Sequence, residues 1–218
     1  MTKHPSISKT KQTFGEEIAN SITHGVGAAL ATAALVILVI FASLKGDAWR
    51  IVSFSIYGAT LVILYMSSTL FHSITNEKIK RYFRMMDLSA IFLLIAGTYT
   101  PITLLPLRNT NWGWVLFGLI WGMAVFGIIL NTIFYGKYEK LSIVFYIMMG
   151  WIVVIAIKPL IANLSIGLLI WILIGGLSYT IGIIFLIWTK FPFSHTVWHL
   201  FVLGGSISHF FGILLYLL

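Results

Sequence analysis

Seven apolar runs, each of about 20 residues and separated by short polar loops, leave this chain of 218 residues one class of structure. In hydrocarbon every backbone N–H and C=O must be satisfied within its own segment, so each run reads as a membrane-spanning helix. The runs extend from about Ile22 to Leu44, Ala48 to Phe71, Met85 to Leu107, Trp112 to Phe134, Leu141 to Ala162, Ile166 to Trp188 and His195 to Leu217. The expectation is an all-α membrane protein, a seven-transmembrane helix bundle in which sequential helices are antiparallel neighbours. The polar stretches are too short for a second folded unit. The organisation expected is therefore a basic N-terminal segment, 1–17, followed by one membrane domain, 18–218.

Composition removes several function classes. With 59% hydrophobic and 9% charged residues, the chain is unlike any soluble domain. It has no cysteine, which excludes disulfides and thiolate ligands, so any metal must be held by nitrogen and oxygen. The net charge of +8 reads as a positive-inside bias with attraction to anionic lipid. No folded basic patch points to nucleic acid, and none is expected as a partner. The first apolar run is long and leads into further runs, so it reads as a true span rather than a cleaved signal peptide.

The charges orient the bundle. With the N-terminus inside, the inner segments hold Lys3, Lys9, Lys11, Lys78, Lys80, Arg81, Arg84, Lys137, Lys140 and Lys190, while the outer ones hold Lys45, Arg50, Arg108 and Lys158. Ten against four gives a cytoplasmic N-terminus and an outer C-terminus. Trp49, Trp112, Trp114 and Tyr216 then form an outer aromatic belt. Pro101 and Pro159 free the carbonyls of Gly97 and Ile155, and kinks are expected there. Thr98, Tyr99 and Thr100 are placed to satisfy the freed groups or, alternatively, to line a cavity. The pairs Gly175–Gly176 and Gly204–Gly205 suit close helix packing.

This orientation brings distant polar residues to one depth near the cytoplasmic face. They are Glu17, Asn20 and His24 of the first span, Ser68 and His72 of the second, Asp87 of the third, and His195 and His199 of the seventh. Ionisable groups in hydrocarbon are costly and usually functional. His195 and His199 are spaced i, i+4, so both imidazoles lie on one helix face and can chelate one ion. A third imidazole from a facing helix, His72, gives three nitrogens and leaves one position open, the arrangement of a hydrolytic zinc site. Zinc brings the pKa of a coordinated water to about 7. Asp87 is placed to orient a ligand or accept a proton, and Ser68 to donate a hydrogen bond. Blander readings stand beside these. Asp87 could pair with Arg84 one turn away. His24 could be a fourth ligand, a hydrogen-bonding support for the ligands together with Asn20, or an interfacial residue. His209 lies about 15 Å along the helix from His199, too far to share an ion, and reads as a packing or hydrogen-bonding residue. His4 lies in the basic tail and reads as solvated.

The segments Glu16–Gly25, Ser68–Ser73, Met86–Ser89 and His195–His199 resemble the bacterial hemolysin III family, which is similar to the progestin and adipoQ receptors and more distantly to alkaline ceramidases. The resemblance runs from Glu16 to the C-terminus. It implies a zinc site near the cytoplasmic face of a bacterial plasma membrane, with His72, His195 and His199 as ligands. It also implies Asp87 acting through the metal-bound water, with Ser68 beside it, and places Asn20 and His24 in the wider family pattern. The receptors' extended N-terminal domain has no counterpart here, so hormone binding is not expected.

Three functions of different class follow. The leading one is a zinc-dependent hydrolase of lipid amides or esters, with membrane lipids as partners. The second is a non-enzymatic sensor of membrane state in which zinc is structural. The third is a cytolytic pore-former, which the absence of an amphipathic pore-lining repeat disfavours. A transporter ranks below these, since no inverted repeat is visible.

Overall fold

The computed structural model describes residues 12–135, 137, 139–188 and 190–218. Lys3, His4, Lys9 and Lys11 lie outside the described residues. Every regular element among the described residues is helical: α1 (Phe14–Leu44), α2 (Ala48–Ser73), α3 (Glu77–Leu104), α4 (Asn111–Ile133), α5 (Glu139–Trp151), a 3-10 segment (Ile152–Ala156), α6 (Ile157–Asn163), α7 (Ile166–Ile187) and α8 (Ser194–Tyr216). With α5 through α6 taken as one span, seven stretches among the described residues are long and apolar enough to cross a membrane. The chain is an integral membrane protein built as a seven-helix bundle.

Two helices begin earlier than hydropathy places them, and caps explain both. Thr13 accepts from the Glu16 amide while the Glu16 carboxylate takes the Thr13 amide, a reciprocal pair that starts α1 at Phe14 rather than Ile22. The Asn76 side chain accepts from the Lys78 and Ile79 amides and starts α3 at Glu77 rather than Met85. Hydropathy reads such polar first turns as loop, but a capped helix needs no apolar residue there. As a result Glu17, Asn20 and the cations Lys78 to Arg84 sit on rigid helix rather than on tails.

The two prolines behave differently. α3 runs unbroken through Pro101, and Thr98 and Thr100 donate to the Leu94 and Ala96 carbonyls of their own helix. The fifth span breaks, passing into a 3-10 run before Pro159. The groups freed there are met from across the bundle: the Tyr99 hydroxyl donates to the Gly150 carbonyl at 2.9 Å and accepts from the Val153 amide at 3.1 Å. Tyr99 does satisfy a broken helix, but a neighbouring one.

Each of α1, α2, α3 and α4 packs on the next, α7 packs on α8, and α1 meets α8 to join the first helix to the last. Small residues make this possible, since lipid tails supply no hydrophobic drive between helices. Ala28, Ala31 and Ala34 of α1 are buried, and Gly27 lies so close to Tyr65 that a Cβ would fall 2.5 Å from its ring. The Tyr65 and Tyr179 hydroxyls meet on the Ser206 hydroxyl at 2.8 and 2.9 Å, tying α2 and α7 to α8. Towards the end of the bundle that carries Lys45, the interior is filled by buried Leu107, Leu116, Leu160, Leu164, Leu168 and Ile213. Towards the other end it opens into a cavity of about 1170 Å³.

Replacement Gly27→Val is expected to destabilise the bundle by about 1–3 kcal/mol through overpacking against Tyr65. Gly118→Val, where nothing lies within 4 Å, should leave stability nearly unchanged. Thermal unfolding in detergent reads both.

Candidate metal centre

His72 stands in the last turn of α2, and His195 and His199 occupy the first turns of α8. Antiparallel packing brings them together. One ring nitrogen from each lies within 4.8 Å of the others, and the ring centroids are 4.6 to 5.2 Å apart. The Nε2 atoms of His72 and His195 are buried without a hydrogen-bond partner. Orphaned buried nitrogens are expensive, and two of them beside a third imidazole nitrogen from His199 fit a cation. A tetrahedral ion with metal–nitrogen distances of about 2.0–2.1 Å holds its nitrogens roughly 3.4 Å apart, so small ring rotations suffice. These three residues could hold a metal ion.

The surroundings set which nitrogen each ring presents. Glu17 Oε2 lies 2.7 Å from His72 Nδ1. A carboxylate can only accept, so Nδ1 carries the proton and Nε2 offers its lone pair to the centre. Glu17 Oε1 in turn pairs with Lys80 at 3.0 Å, and Lys80 also donates to the Phe71 carbonyl at 3.0 Å. The Thr23 hydroxyl lies 3.3 Å from His199 Nδ1 and gives its own hydrogen to backbone carbonyls of α1, so it accepts from the ring. His199 thus also turns Nε2 towards the centre.

The first turns of α1 fix the ligand helix too. Asn20 accepts from the Thr196 hydroxyl at 2.6 Å, between the two α8 histidines, and donates to Gln12. It joins α1 to α8, and its backbone carbonyl also reaches the His199 ring. Glu16 Oε1 accepts from the Phe193 amide at 2.9 Å. Phe193 has φ 61°, a left-handed conformation rare for a side chain of this size, and it precedes the first residue of α8. His24 lies outside the cluster of converging nitrogens. Its ring stacks on His199 at 3.5 Å with the planes 11° apart and meets the Tyr65 ring edge-on at 5.0 Å. Neither His24 ring nitrogen has a hydrogen-bond partner among the described residues, so its contact with His199 is one of stacked rings.

Asp87, Ser68, His195 and His199 all line the cavity. Arg84, the alternative partner of Asp87, goes to Glu139 on α5 at 2.7 Å. The Ser68 hydroxyl is buried beside the Asp87 carboxylate, and that carboxylate lies within electrostatic range of His72. From this polar wall the cavity runs past Leu64, Ile91 and Val202 to His209, Thr98 and Trp151.

The i, i+3, i+7 spacing of Glu17, Asn20 and His24 puts them on one face but gives Glu17 no partner, and nothing in it marks Thr23 or Glu16. Their roles depend on what faces α1, and spacing along α1 carries no trace of that.

Glu17→Gln is expected to weaken metal binding about 10–100-fold, because the amide no longer holds His72 Nδ1 with a charge. Competition with a chelator of known affinity measures it. The α1 cap belongs to Glu16, so the fold should persist.

A family model described as haemolysin-III related matches residues 12–210. Hemolysin-3 of Bacillus cereus is 48% identical over 212 residues, covering 97% of this chain and 96% of the relative. The hemolysin-3 homolog of Bacillus subtilis (strain 168) is 50% identical over 204 residues, covering 94% and 95%. The monocyte to macrophage differentiation factor of Homo sapiens is 31% identical over 224 residues, covering 98% and 89%. With its seven-helix bundle and a match along nearly its whole length, this chain belongs to the haemolysin-III-related family.

Proposed function

We propose that this protein is a metal-dependent hydrolase acting on lipid amide or ester bonds from within the bilayer, with zinc as the metal. The observation that carries this reading is the shared wall: two of the three clustered histidines, a carboxylate and a buried hydroxyl all line one cavity that is charged at its mouth and apolar along Leu64, Ile91, Leu94 and Ile95. A nitrogen-only ligand set suits zinc. When bound, such an ion supplies Lewis acidity towards a carbonyl and a more acidic coordinated water.

The chain's own groups complete the chemistry. Leu64, Ile91, Leu94 and Ile95 line an apolar path for a hydrocarbon chain. A lipid carbonyl can then lie at the histidine end. Asp87 takes the proton of the attacking water and returns one to the leaving amine or alcohol. Ser68 donates to the oxygen that gains charge on the carbonyl. The positive-inside bias of Lys78, Lys80, Arg81 and Arg84 supports a cytoplasmic position for this end.

A second reading, a membrane sensor with a structural metal, is favoured by one observation: the ligands come from α2 and α8 while Glu17 and Thr23 brace them from α1, so an ion would fasten three helices. The apolar packing of the end opposite the cavity speaks against a pore.

Metal analysis and lipid turnover on one preparation separate these readings. Wild type is expected to carry about one zinc per chain and to release fatty acid from a lipid substrate. The His195→Ala/His199→Ala double variant should lose both. Asp87→Asn should keep the metal and lose turnover by at least about 100-fold. Turnover that survives in the double variant overturns the hydrolase reading. A metal-bearing wild type inert on every lipid class, with a double variant that unfolds, supports the sensor.

A further inference from the structure

His209 takes no part in the metal cluster, yet the fold seats it with care. It is on α8 at the inner end of the cavity and nine-tenths buried, with 9% of its surface exposed. Its Nε2 lies 3.2 Å from the Ile172 carbonyl of α7. A carbonyl can only accept, so Nε2 carries the hydrogen and Nδ1 of the neutral ring is an acceptor. Nδ1 has no partner among the described residues. The ring also lies directly against Gly175, where any Cβ would collide with it. A bare backbone on α7 thus makes room for an imidazole that a leucine would replace at less cost if packing were all that mattered. Thr98, Tyr99, Tyr179 and Thr180 share this end of the cavity. Their hydroxyls are engaged: Thr98 donates to the Leu94 carbonyl, Tyr99 bonds to the backbone of Gly150 and Val153, Tyr179 bonds to Ser206, and Thr180 donates to the Gly176 carbonyl. Nδ1 is therefore the unmet acceptor here, and a buried acceptor calls for a donor.

We propose that the inner end of the cavity is a second recognition site, centred on His209, for a hydroxyl group carried on the hydrocarbon chain of the bound lipid. This rests on the reading of the cavity as a lipid site. A hydroxyl is the fitting donor because it presents one O–H to Nδ1 and otherwise leaves the chain apolar for the walls between. Ten residues of helix separate His199 from His209, about 15 Å, the reach of roughly ten to twelve extended carbons from a carbonyl at the histidine cluster. The cavity would then read its ligand at two points, the polar head and a mid-chain hydroxyl.

The test compares two probes on full-length, metal-loaded protein in detergent: a saturated eighteen-carbon fatty acid, and the same acid hydroxylated near mid-chain. Affinity is measured by calorimetry. Wild type should bind the hydroxylated acid about five- to tenfold more tightly, the value of one neutral hydrogen bond. His209→Phe should bind both acids equally, and His209→Gln, which keeps an acceptor, should retain part of the preference. Zinc content of each variant reports whether the bundle has formed. Equal affinities in wild type, or an unchanged preference in a zinc-bearing His209→Phe, overturn the second site while leaving the lipid reading intact. If wild type binds neither acid, the lipid reading itself fails and this site with it. If His209→Phe does not fold, the wild-type preference and its partial retention in His209→Gln still decide the question.

Discussion

A carboxylate in the first turn of α1 governs how three imidazoles can meet. By accepting from His72 Nδ1, Glu17 turns the other nitrogen inward, and by holding Lys80 it keeps its own charge compensated at the edge of the membrane. Without that bond the His72 ring could present either nitrogen, and the cluster would lose its geometry. The neighbouring contacts extend the same logic. Thr23 orients His199, Asn20 holds Thr196, and Glu16 holds the turn that launches α8. One polar face of one helix thus positions both histidine-bearing helices, and each of its contacts replaces hydration that the lipid cannot supply.

Much of the fold and the core of the site are legible in the order of residues alone. Seven runs of the right length leave no alternative to helices, and antiparallel connection brings His72, Asp87, His195 and His199 to one depth. What stays illegible has physical causes. The starts of α1 and α3 hide in polar turns held by Thr13 and Asn76, which hydropathy discounts. Pro159 announces the break in the fifth span but not its repair by Tyr99 from α3, because that bond depends on which helix faces the gap. Arg84 has Asp87 one turn away on its own helix, yet it reaches Glu139 instead. Spacing shows which residues share a face, and only packing shows what that face meets.

The interior is graded along the bundle axis. At one end lie paired charges and the histidine cluster, then apolar walls around the cavity, then the hydrogen-bonded ring of Tyr65, Tyr179 and Ser206, and finally close-packed leucine and isoleucine. Such a gradient isolates the histidine cluster from the opposite face without a separate lid.

The contacts between α1 and α8 join residues 176 and 177 positions apart in the chain. A translating ribosome therefore delivers Glu16, Glu17, Asn20 and Thr23 to the membrane long before their partners exist. Until α8 inserts, the polar face of α1 must wait on water or on headgroups, and His72 has neither of the histidines it meets in the bundle. Assembly of the cluster is thus tied to synthesis through α8: a product that stops short of α8 can insert its earlier helices but cannot bring the three histidines together.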